Sequence, residues 1–165
     1  MNISALRAPI SASGEAEPGL VQPQLSTDYL NRFGEALMLI EMAPMDPGIV
    51  AELQSWSVIG YVEHFQRSQL RCRAAAIAGY EHLPAARRAA FDALCQSMNT
   101  LIAEATETLG AQSDDEDLSL SASLAGGQLR ALISQATQFI NANGTLDPDM
   151  FDGLGLQDDI DAMFA

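Results

Sequence analysis

Between Phe91 and Leu109 the apolar residues come at spacings of three and four without a lapse: Phe91, Leu94, Cys95, Met98, Leu101, Ile102, Ala105 and Leu109. On a helix this set forms one stripe about five turns long. A strand cannot bury it, because strand side chains alternate between faces. A helix with so long an apolar side needs other helices to cover it, and the rest of the chain has to supply them.

Other segments share the period. Ser26, Thr27 and Asp28 are good caps, and Tyr29, Leu30, Phe33, Leu37 and Ile40 follow at helical spacing until Pro44. Asp46 and Pro47 suit an N-cap and the first helical position of a short helix carrying Ile49, Val50, Leu53 and Trp56. Val58, Val62, Phe65, Cys72, Ala76 and Tyr80 predict one long helix over residues 58–80, closed by Leu83 and Pro84. Gly110 stops the helix that contains Phe91. Leu129, Leu132, Ile133, Ala136, Phe139 and Ile140 predict a last helix over residues 120–140, stopped at Asn141, Ala142, Asn143 and Gly144. The 48% hydrophobic content suffices for a core, and the low aromatic share, 6%, favours helices over a sandwich. The expected fold is an all-α bundle of four to five helices.

Around that bundle the composition changes. Residues 1–25 are rich in Ala, Ser, Pro and Gly with little periodicity and are expected to form a disordered arm. The main bundle covers 26–110. An acidic linker, 111–119, contains Asp114, Asp115, Glu116 and Asp117. An additional bundle helix occupies 120–144, and 145–165 is expected to be a mobile acidic tail.

The net charge of −14 argues against nucleic acid or an anionic membrane as the main partner. No run reaches transmembrane length and the N-terminus lacks a signal pattern, so a soluble, cytoplasmic protein is expected. Cys72 and Cys95 each sit in an apolar helical pattern and are expected to be buried free thiols. No metal-ligand spacing, Gly-rich phosphate loop or Ser/His/Asp arrangement is present, so no cofactor of the chain's own is expected. Arg67, Arg71, Arg73, Arg87 and Arg88 read either as two solvated helix faces or as an anion-binding surface for a partner or for the acidic tail. The stripe from Phe91 to Leu109 also leaves room for a homodimer along that helix.

The segment that says most about function is Gln157, Asp158, Asp159, Ile160, Asp161, Ala162, Met163 and Phe164. As a helix it puts Ile160, Met163 and Phe164 on one face, with acids at its start and flanks. A peptide this short needs a groove to fold into. It resembles the response-regulator-binding peptide of the flagellar switch protein FliM and, more loosely, that of the chemotaxis phosphatase CheZ. Those peptides share a core of Gln, two acids, Ile or Val, Asp and two leucines. Met163 and Phe164 stand where the leucines would, and Leu156 stands where the switch protein has a capping Ser. The resemblance covers about eight residues and implies a receiver domain as partner.

Asp92 and Gln96 lie four apart, beside the stripe of their helix. Their acid-x-x-x-Gln spacing resembles a pair on a bundle helix of the chemotaxis phosphatase family. The resemblance implies that Gln96 orients a water at the regulator's aspartyl phosphate while Asp92 pairs with a lysine there. The Mg²⁺ would belong to the partner receiver domain. Such a step needs positioning rather than proton chemistry, which an amide can supply. His64, with Arg67, Ser68 and Leu70 after it, resembles the phospho-acceptor box of histidine kinases and offers another reading, a phosphotransfer bundle. A non-enzymatic adaptor in a flagellar or two-component pathway is the remaining one.

Overall fold

A computed structural model describes residues 21–145. A 3-10 turn, Thr27–Leu30, runs into α1 (Asn31–Met42); α2 (Gly48–Ser55), α3 (Tyr61–Gln66) and α4 (Arg73–Glu81) follow. Two long helices, α5 (Ala85–Ala111) and α6 (Asp115–Asn141), complete an all-helical fold with no strand among the described residues.

The α5–α6 pair is the centre of the bundle, and its short connection forces the two helices antiparallel. Phe91 near the start of α5 stacks on Phe139 near the end of α6, with ring centroids 5.1 Å apart. The stripe read from the sequence supplies the buried face of α5 at Phe91, Leu94, Cys95, Met98, Ile102, Ala105 and Leu109; Leu101 is partly exposed at its edge. α1 lies along α6 and closes the core with Phe33, Ala36, Leu39 and Ile40, while α2 bridges α1 and α5.

The helix expected over residues 58–80 is instead two helices. After α3, the Ser68 hydroxyl accepts the Leu70 N–H, and Arg73 donates to the Ser68 carbonyl at 2.9 Å. These side-chain bonds hold a turn where the apolar period alone predicts continuity. Cys72 ends up exposed beside α4, contrary to the expectation for it, while Cys95 is buried.

The acidic run also departs from expectation. The Asp114 carboxylate caps α6 by accepting the Glu116 N–H at 2.8 Å, so Asp115, Glu116 and Asp117 form the helix's first turn rather than a linker. That placement suits the positive end of the helix dipole. At the other end, Asn143 has φ 53° and Gly144 φ 70°. Gly144 donates to the Phe139 carbonyl and Asn143 to that of Ile140, which is a Schellman closure.

Of the expected arm, residues 1–20 lie outside the described residues, and the packed structure reaches back to Gln24 and Leu25. Gln24 donates to the Ala75 carbonyl at 3.0 Å, and the Leu25 N–H reaches the side-chain oxygen of Asn143 at 2.8 Å. Gly79 allows this: a Cβ there would lie 2.7 Å from the Leu25 nitrogen.

Candidate functional site

α5 carries Asp92 and Gln96 on its outer side, two residues before the buried Leu94 and one after the buried Cys95, and both side chains are exposed. They share a face because residues four apart on a helix are neighbours. Asp92 has a partner within the bundle. The Tyr80 hydroxyl, at the end of α4, donates to its carboxylate, with Oδ1 at 2.8 Å and Oδ2 at 2.9 Å. Tyr80 is itself fixed on both sides: its ring stacks on Tyr61 at 5.4 Å, and the Arg88 guanidinium sits 5.9 Å from its centroid. Burial, then the Asp92 bond and charge, push the Tyr80 phenol up to about 12.

Tyr80 and Arg88 therefore belong to the same surface as Asp92 and Gln96, whereas the sequence suggests Tyr80 for a helix stripe and Arg88 for a separate arginine cluster. Arg88 precedes Asp92 by four residues and was available to a spacing argument; Tyr80 was not, since its approach depends on how α4 packs. The Cys95 thiol next to this surface is pushed up to about 12, by burial first and by Asp92 second, so it stays protonated and inward. What the surface offers chemically is an exposed amide at Gln96 and a carboxylate already held by a phenol.

His64 lies apart from this surface. Its Nε2–H donates to Asp28 at 2.8 Å, not to the neighbouring Glu63, and its ring meets Tyr29 and Phe65 edge-on. Glu63 pairs instead with Arg67 at 2.7 Å. His64 thus ties α3 to the turn that starts α1.

The arginine cluster is similarly spent on local contacts. Arg73 holds the turn after α3, Arg88 covers Tyr80, and Arg87 donates to the Gly144 carbonyl at 3.2 Å. Arg71 is exposed on the turn before α4. The structure brings Asp92 and Gln96 together and separates both from His64. Gln157, Asp158, Asp159, Ile160, Asp161, Met163 and Phe164 lie outside the described residues.

No family model, curated protein or solved structure matches the chain. Among the described residues no helix is long and apolar enough to cross a membrane.

Proposed function

We propose that this protein binds the receiver domain of a response regulator through residues 157–164, and that the Asp92–Gln96 face of α5 meets the bound domain. The observation that carries the reading is the order of residues Gln157, Asp158, Asp159, Ile160 and Asp161 followed by the apolar Met163 and Phe164. It combines an acidic N-terminal turn with a one-sided apolar face, the pattern of a helix that folds into a groove with a basic rim. The described part of the chain supports it by position. The last described residues are anchored to α5 through the Arg87 bond to Gly144, on the helix that also carries Asp92 and Gln96. A partner tethered through the following segment would experience an effective concentration on the order of millimolar at that face.

On this reading Gln96 orients a water toward the regulator's aspartyl phosphate, with the Mg²⁺ on the regulator. Loss of phosphate from a phosphorylated receiver domain, followed with and without the protein, tests it. Acceleration that survives His64→Ala and fails with Gln96→Ala supports catalysis.

A second reading, an adaptor that binds without catalysis, is favoured by the Tyr80 bonds to both oxygens of Asp92. They commit the carboxylate that would otherwise pair with the regulator. Binding with an unchanged rate of phosphate loss identifies the adaptor.

A further inference from the structure

Three of the seven large hydrophobic residues exposed among the described residues fall close together in the chain: Met38 and Met42 on α1, and Met45 in the turn that follows it. Met38 and Met42, four apart, share one face of α1. Among the described residues, Met38 and Met45 border an outer groove between α1 and α6.

That groove is open. One hollow of about 580 Å³ lies between Gly34 and Met38 on α1 and Ile133 and Thr137 on α6. A second, of about 390 Å³, lies between Pro44 and Met45 and the α6 residues Ser119 and Ser123. The Glu41–Arg130 ion pair crosses between them. A Cβ added at Gly34 would meet nothing within 4 Å, so small residues keep the floor low. The two hollows together run roughly 20 Å, the length of about four turns of a docked helix.

The charge around the groove selects the occupant. Glu35 and Glu41 line it, Asp46 follows Met45, and Asp114, Asp115, Glu116 and Asp117 precede Ser119. The single cation of α6, Arg130, is already paired with Glu41. We infer that the α1–α6 groove docks a basic amphipathic helix of a partner protein. Its apolar side seats over Met38, Met45 and Ile133, and its cations meet the acidic rim. A second copy of this chain would bring like rims together, and residues 157–164, flanked by acids, would be repelled in the same way. The inference is independent of the reading of residues 157–164. Together they describe a protein with two helix-mediated contacts of opposite charge sense.

The probe is a fluorescent leucine–lysine peptide of about 14 residues with leucines at helical spacing, titrated against the full chain at physiological ionic strength. The expected result is saturable binding that weakens by about tenfold or more in the double variant Met38→Arg, Met45→Arg. Val58→Arg, which adds charge at an exposed apolar residue elsewhere, should leave it unchanged. Gly34→Leu fills one hollow without altering charge and should also weaken binding, with its circular dichroism melt confirming the fold. No binding, equal binding of a scrambled peptide of the same composition, or equal loss with Val58→Arg overturns the inference. A sedimenting dimer dissolved by Met38→Arg also overturns it, by assigning the face to a second copy.

Discussion

The Tyr80 hydroxyl reaches both carboxylate oxygens of Asp92, at 2.8 and 2.9 Å, from a different helix. This contact joins α4 to the outer side of α5 and fixes the position of the one acid in the candidate site. It also makes the tyrosines informative about pH. The folded chain holds the Tyr80 proton up to about 12, whereas an unperturbed phenol releases it near 10.0. Tyr29 and Tyr61, the other two tyrosines, are raised further, chiefly by burial. The unfolded state therefore binds fewer protons above pH 10, and stability is complete below that pH and falls as pH rises toward 12. Absorbance titration should show no phenolate before the chain unfolds. A normal phenolate step at pH 10 with helical signal intact would contradict the arrangement.

The two glycines at Gly79 and Gly34 should respond in opposite ways. Gly79→Ala drives a Cβ into the backbone of Gln24 and Leu25 and should cost about 1–3 kcal/mol. It should also raise hydrogen exchange at the Leu25 amide. Gly34→Ala meets open space in mid-helix and should stabilise by about 0.5–1 kcal/mol. Urea midpoints decide both.

The cysteines should separate cleanly under a thiol reagent. Cys72 is exposed and should react in the native protein, whereas Cys95, buried and raised to about 12, should react only after denaturation. Native labelling that persists in Cys72→Ser would show that Cys95 is accessible.

On α5, stability and function should divide by face. Met98→Ala, at a fully buried position, should cost about 2–5 kcal/mol. Gln96→Ala, exposed two residues away on the other side of the helix, should stay within about 0.5 kcal/mol. Denaturant melts check the pair, and an unfolded Gln96→Ala variant would show that this residue is structural.

What was legible in the sequence was local. The stripe from Phe91 to Leu109 is a property of consecutive residues, so the buried face of α5 could be read directly. The break after α3 could not. Leu70 and Cys72 continue the apolar pattern, and the turn is held by Ser68 and Arg73 side chains whose bonds depend on conformation. Asp114 was visible as an acid, but only the start of α6 makes it a cap. Asp92 and Gln96 were placed on one exposed face by spacing alone, whereas the Tyr80 partner and the Asp28–His64 tie require tertiary packing. His64 and Asp28 are 36 residues apart, beyond the reach of any periodicity.

The proposed function depends above all on residues 157–164 acting as a ligand for a receiver domain. Isothermal titration of an isolated receiver domain into the full chain, and into its Ile160→Ala and Phe164→Ala variants, tests it most directly. The account predicts binding on the order of micromolar that weakens by about tenfold or more in either variant, while the bundle melts unchanged. Absence of binding across a panel of receiver domains, or equal affinity in all three proteins, would contradict it.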